Sequence, residues 1–254
     1  GQVRFLVALQ GVDLFGAKGL NIIMLIFSTL VFHFLQAAHR GDRAAGCAML
    51  TAAGVLLLWF GYGVYALNYW DTQARHWETT RIGLVQPNDP PRRRIPEPRA
   101  GFTREAPEEM LASRRLARAG AQWIAWPEAR YKGYYDLFTV RDGYAKEVRR
   151  WGVPLFFHDV ETRWLKSQRV SYNTVAWLAS DGVRAGQYRK VKRMPFGEYL
   201  PAFFELPGVV QVTKLFMGDY LRPLGAGTEH MQFNAGTMRV IPKVCYETAF
   251  PEFV

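Results

Sequence analysis

Cysteine is almost missing from this chain: two in 254 residues, at positions 47 and 245. Cys47 falls inside an uncharged apolar run, so the two are not expected to bridge, and Cys245 should be a free thiol even in an oxidising compartment. Acidic residues are outnumbered, 22 against 32 Lys and Arg, for a net charge of +10. No recognisable nucleic-acid motif accompanies that excess, so the charge does not argue for a nucleic-acid partner. Internal repeats and low-complexity tracts are lacking too. A mean hydropathy of −0.11 excludes a chain that is membrane-embedded throughout, but the average conceals an asymmetry, because nearly all the carboxylates lie after Trp70.

Leu20–Ala38 and Ala44–Asn68 carry almost no charge. At ~1.5 Å rise per residue, either is long enough for a helix to cross a ~30 Å hydrocarbon core. Trp59, Tyr62, Tyr65, Tyr69 and Trp70 gather towards the end of the second span, as aromatic residues do at a membrane–water boundary. Gly46, Ala52, Ala53 and Gly54 permit close helix packing. Two adjacent spans, with no small-residue cleavage pattern after the second, argue against a signal peptide. The turn His39–Arg43 carries two arginines, which places it on the cytoplasmic side and the residues after Trp70 on the external face. Gly1–Gly19 reads as an interfacial or re-entrant lead-in. The expected organisation is a membrane region over residues 1–70 and a second domain over 80–254. The chain opens on Gly and stops just past Cys245, so both ends read as cuts through a larger protein.

From Thr80 the hydrophobic period changes. Arg81–Asn88 is a short apolar strand run. Pro90–Pro98 is a basic, proline-rich loop suited to anionic lipid headgroups or simply to solvent. Glu105–Ala119 reads as a helix, acidic in its first turns, basic in its last, and stopped by Gly120. Ala121–Trp126 is a buried strand, Asp142–Trp151 a helix and Val153–His158 a strand. Ser171–Ala179 and Gly186–Val191 form a hairpin through Asp181-Gly182. That order fits a layered α/β domain.

The chemistry centres on Arg239–Glu252, an apolar strand that ends in Cys245 and turns polar. A thiol there is held still with its open side exposed, but it reacts as the thiolate and needs a base or a cation. Glu128, delivered by Trp126-Pro127 into an apolar setting, is a candidate base with a raised pKa, or else the partner of Arg130 in a surface ion pair. Lys190 could lower the thiol pKa and stabilise an oxyanion, or be one more surface cation among Arg189, Lys192 and Arg193. Glu198, in the rigid turn Pro195-Phe196-Gly197-Glu198, would fix a carboxylate beside the same pocket. The backbone N–H of Tyr246 is an oxyanion-hole donor, and Glu247 orients its neighbours rather than reacting.

Trp126-Pro127-Glu128, the run Tyr188 to Pro201 containing Lys190 and Pro195-Phe-Gly-Glu198, and Cys245-Tyr246-Glu247 resemble the Glu–Lys–Cys pattern of the nitrilase, or carbon–nitrogen hydrolase, superfamily. With the preceding spans, Val85–Asn88 and Tyr172-Asn173-Thr174, the chain from Gly11 to Val254 is similar to the apolipoprotein N-acyltransferase family in particular. The resemblance implies an α/β fold: transmembrane helices followed by a nitrilase-like αββα sandwich, incomplete at its C-terminal end. It implies Glu128 as base, Lys190 as oxyanion stabiliser, Cys245 as nucleophile, and Glu198, Tyr246 and Glu247 as supporting groups, with no cofactor and no metal. Implied partners are a phospholipid acyl donor, a diacylated apolipoprotein acceptor and the lipid bilayer. The implied location is a bacterial inner membrane, multi-pass, with the catalytic domain on the periplasmic face. A membrane-tethered amidase using the same three residues is the alternative.

Overall fold

The computed structural model describes residues 4–41, 44–87, 97–128, 134–217, 223–235 and 238–250. Residues 1–3, Asp42, Arg43, Asn88, residues 90–96, Arg130, residues 236–237 and residues 251–254, all within stretches named above, lie outside the described residues. The chain divides into two compact units, Gly1–Thr79 and Thr80–Val254.

The first unit is helical: α1 (Leu6–Leu9), α2 (Val12–His39) and α3 (Ala44–Ala74). Gly16 interrupts α2 with φ 67° and ψ 175°, a conformation open to glycine because it has no Cβ. The lead-in is therefore short helical pieces. It is tied to α3 by the Trp59 indole N–H donating to the Ala8 carbonyl (2.9 Å) and the Tyr62 hydroxyl donating to Asp13 (2.8 Å). Lys18–His39 and Gly46–Ala74 are each long and apolar enough to cross a membrane. Both outrun the spans expected from sequence, because the polar residues at their ends continue the helical hydrogen bonding.

The second unit is built on a five-stranded sheet in the order β1-β2-β3-β4-β5. Its strands are β1 (Ile82–Leu84), β2 (Trp123–Ala125), β3 (Leu155–Leu165), β4 (Gln168–Leu178) and β5 (Arg184–Arg189). The first three are parallel, joined through α4 (Glu108–Arg118) and α5 (Phe138–Trp151), and the last three are antiparallel. α4 starts three residues later than its charge pattern suggests, because Pro107 occupies its N-cap and disfavours helix in the residue before it. α5 starts four residues earlier than expected. Its buried stripe Val140, Tyr144, Val148 has helical spacing although Phe138-Thr139-Val140 carries no start signal. It stops at Gly152 in the left-handed conformation.

Alternation along β3 divides the core. Leu155 and Phe157 pack with Ile124, Leu178 and the α4/α5 side chains on one face. Phe156 packs with Tyr188, Phe233 and Val244 on the other. β3 does not end at His158. It runs seven residues further, paired in an unbroken ladder from Leu155↔Leu178 to Leu165↔Gln168. Beyond β5 come the 3₁₀ turn Ala202–Glu205, α6 (Val209–Met217), and β6 (Phe233–Ala235) paired with β7 (Met238–Val240). The described residues thus supply one helical layer and one main sheet, with the second face of that sheet partly covered by residues 231–244.

Candidate active site

Each chemical group is delivered by the end of an element on or beside the second sheet face. β2 finishes at Ala125, and the Trp126 N–H then donates to the Phe156 carbonyl (2.9 Å) while its indole donates to Ser113 on α4 (2.8 Å). With Trp126 locked at both ends, Pro127 turns the chain and Glu128 emerges at an exposed rim. Glu128 is exposed rather than buried, although the apolar side chains of Trp123 and Trp126 line the same cavity.

Lys190 extends β5 by one residue, its N–H donating to the Asn173 carbonyl (2.8 Å). Period-2 alternation buries Tyr188 and Lys190 and leaves Arg189 on the opposite face, paired with Glu161. Lys190 is therefore no surface cation. Its ammonium meets Glu198 at 3.1 and 3.0 Å, the two side chains being 2% and 11% exposed. Glu198 is held by the turn the sequence indicates. Phe196 takes φ 61° and its N–H donates to the Tyr199 carbonyl (2.8 Å), while Glu198 N–H closes onto Met194 (2.8 Å). The Met194 N–H donates back to the carboxylate (2.8 Å), and Asn173 Nδ2 makes a further short hydrogen bond to it. Asn173 Oδ1 in turn faces His158 Nε2 at 2.8 Å. The sequence reading does not single out His158. The available signal was a histidine closing the apolar run Leu155–Phe157.

Cys245 is not at the end of a ladder. β7 stops at Val240, four residues outside any strand follow, and Cys245 opens a 3₁₀ turn, Cys245–Ala249. Its φ is +51°, left-handed for a residue with a Cβ, and it is exposed. Such a conformation costs on the order of 1–2 kcal/mol and persists where surrounding contacts over-determine it. The contacts come from Glu247, fully buried two residues on. Its carboxylate accepts from Tyr188 Oη (2.6 Å) and from the N–H groups of Val191 (2.8 Å), Lys192 (3.0 Å) and Val244 (2.9 Å). Burial, and then this carboxylate, push the Tyr188 phenol well above its ordinary value. One acidic side chain thus ties the cysteine turn to the end of β5. Tyr246 is half-buried, with its ring edge-on to Phe250.

A cavity of about 280 Å³ opens on this face. Glu128, His158, Lys243 and Cys245 contribute its polar wall, and Trp123, Ala125, Phe156, Val175, Val240, Pro242 and Val244 make it mostly apolar. Glu128 and Cys245 therefore share one cavity. Lys190 and Glu198 stand behind its wall and reach it through Asn173 and His158. Among the described residues, no group of three His, Cys, Asp or Glu is placed to hold a metal ion.

The family model described as carbon–nitrogen hydrolase matches residues 92–254, more than half of the chain. The chain belongs to the carbon–nitrogen hydrolase family. The chain is similar over nearly its whole length to the apolipoprotein N-acyltransferase of Geobacter metallireducens, 26% identical over 270 residues, covering 99% of this chain and 47% of that protein. The apolipoprotein N-acyltransferase of Azotobacter vinelandii is 29% identical over 161 residues, covering 58% of this chain and 29% of that protein. The chain spans at most about half the length of these relatives. Among solved structures, an amidase from Nesterenkonia sp. aligns with a TM-score of 0.43 at 17% identity, covering 68% of this chain and 58% of the amidase.

Proposed function

We propose that this chain carries an N-acyltransferase site that moves a fatty acyl group from a phospholipid, through a thioester on Cys245, to the α-amino group of a lipid-modified N-terminal cysteine. The observation that carries the reading is the exposed Cys245, held at φ +51° on a turn clamped by Glu247, in one cavity with Glu128. The similarity to proteins named apolipoprotein N-acyltransferase supplies the substrate class.

In this reading Glu128 takes the thiol proton as sulfur attacks the ester carbonyl, and returns it to the departing alcohol oxygen, releasing a lysophospholipid. The acceptor amine then attacks the thioester and gives its proton to Glu128, and the leaving thiolate recovers it. The oxyanion of each tetrahedral intermediate is stabilised by the Tyr246 N–H and the positive charge of Lys190. Glu198 holds the Lys190 side chain in place, and Glu247 keeps the cysteine turn in place. Two helices able to cross a bilayer suit substrates that are themselves membrane-anchored. The proposed setting is multi-pass in a bacterial inner membrane, with the site on the periplasmic face.

The test is intact-protein mass spectrometry of the full-length enzyme after incubation with phospholipid, beside a Cys245→Ala control. The expected result is an acyl adduct on Cys245 that hydroxylamine removes and a lipopeptide amine discharges. Turnover of small amides, with no adduct from phospholipid, would assign the site to a membrane-tethered amidase instead.

A further inference from the structure

The hydrogen-bonded chain behind the cavity wall has a fixed direction, which follows from what each group can donate. Glu198 as a carboxylate accepts only, so the Asn173 atom facing it must be the NH₂ group. The amide orientation is thereby set, and Asn173 Oδ1 is the atom presented to His158. An oxygen there requires a proton on His158 Nε2, which fixes the donor nitrogen of the ring. His158 and Asn173 are both buried, as is Lys190 at the far end. His158 also belongs to the cavity wall that contains Cys245 and Glu128. His158 therefore lines the cavity while its Nε2–H starts a chain of hydrogen bonds through Asn173 and Glu198 to the Lys190 ammonium.

We propose that His158 is a positioning residue for the reaction: its Nε2–H holds the Asn173 amide in the orientation that aims Glu198 at Lys190. The inference rests on the acyl-transfer reading for the role it gives Lys190 towards the Cys245 thiol. Without the imidazole donor, Asn173 Oδ1 is left buried with no donor facing it, and the amide keeps its place only through the Nδ2 bond to Glu198. A loosened amide loosens the carboxylate it holds, and with it the Lys190 ammonium.

The test exploits the fact that a glutamine amide nitrogen occupies the place of Nε2, whereas an asparagine amide nitrogen occupies that of Nδ1. His158→Gln, His158→Asn and His158→Leu are made in the full-length enzyme. The alkylation rate of Cys245 by iodoacetamide is read by peptide mass spectrometry, alongside the thermal unfolding midpoint and the rate of acyl-adduct formation from phospholipid. The expected result is an alkylation rate about tenfold lower in the Asn and Leu variants, the size of one lost buried hydrogen bond, with most of the loss recovered in the Gln variant. Alkylation at the wild-type rate in the Leu or Asn variant would overturn the proposal. So would a Gln variant as slow as Leu, or a rate that merely follows the unfolding midpoint. Should phospholipid leave no adduct even on the wild-type enzyme, the acyl-transfer reading falls, while the alkylation ranking still decides the role of His158.

Discussion

Glu198→Gln removes the charge from one half of a buried pair while nearly preserving its shape. Lys190, 2% exposed, then keeps an ammonium with no counter-charge at 3 Å. Breaking such a pair from one side costs about 3–5 kcal/mol, because desolvation of the remaining ion is no longer offset. For a domain of this size, at roughly 2–4 °C per kcal/mol, the unfolding midpoint should fall by on the order of 10 °C. Lys190→Met should cost a similar amount through the stranded carboxylate, though less where Asn173 and Met194 still donate to it. The combination Lys190→Met/Glu198→Gln removes both charges and should regain most of the loss, since replacing a whole buried pair is often close to neutral. Acyl-adduct formation should be lost in all three variants. The assay is thermal unfolding in detergent, followed by intrinsic fluorescence, with the three variants treated as a double-mutant cycle. A double variant as unstable as the two single losses added together would refute the reasoning, because independent sites add and a coupled pair does not.

Other consequences are as direct. Cys245→Gly should unfold later than Cys245→Ala by about 1 kcal/mol, since glycine removes the Cβ from a left-handed backbone; both should lack the adduct. Gly182→Ala, at φ 76° with a new Cβ 2.3 Å from the Ala145 carbonyl oxygen, should lower the denaturation midpoint by about 2 kcal/mol or more, because neither backbone can yield. Tyr188→Phe takes one donor from Glu247 and should cost about 1–2 kcal/mol in chemical denaturation. Burial would raise the Glu161 carboxyl, but hydrogen bonds from Arg189 and Arg163 outweigh it and hold it below its ordinary value. A lowered carboxyl adds stability that is complete above its unfolded pKa and is lost as pH falls through the folded one. Stability measured across that acid window should therefore drop less steeply in Glu161→Gln than in the wild type.

The sequence made the C-terminal ends of α4 and α5 and the order of the α/β elements readable, with glycine following at Gly120 and Gly152, but charge alone set the start of α4 three residues too early. It concealed the β3–β4 hairpin, because the turn residues Lys166 and Ser167, at φ 47° and 65°, are not the Asn-Gly or Gly types that announce two left-handed positions. At the site, Cys245 and Glu128 stood out as residues at the ends of apolar runs, and Glu198 as the carboxylate of the turn Pro195-Phe196-Gly197-Glu198. The burial of Lys190 was harder to read because cations surround it in sequence. Alternation from the apolar Tyr188 would have shown that the lysine, and not Arg189, turns inward. His158 and Asn173 are silent in sequence for a different reason. Their importance lies in a chain of contacts between β3, β4 and the residue 194–198 turn that no local pattern encodes.

The Glu247 clamp also bears on how the site comes together. Tyr188 and Glu247 are 59 residues apart, so the cysteine turn acquires its shape through a contact of high sequence separation. The sheet from β1 to β5 can form from nearer neighbours first, which predicts that the Cys245 turn is among the last parts to be set during folding. The same separation makes the connecting stretch tolerant of change in length, since doubling a flexible loop costs only about 0.6 kcal/mol in closure entropy. Changes of length between the 3₁₀ turn Ala202–Glu205 and α6 should accordingly leave the cysteine turn in place, provided the carboxylate of Glu247 still finds the end of β5.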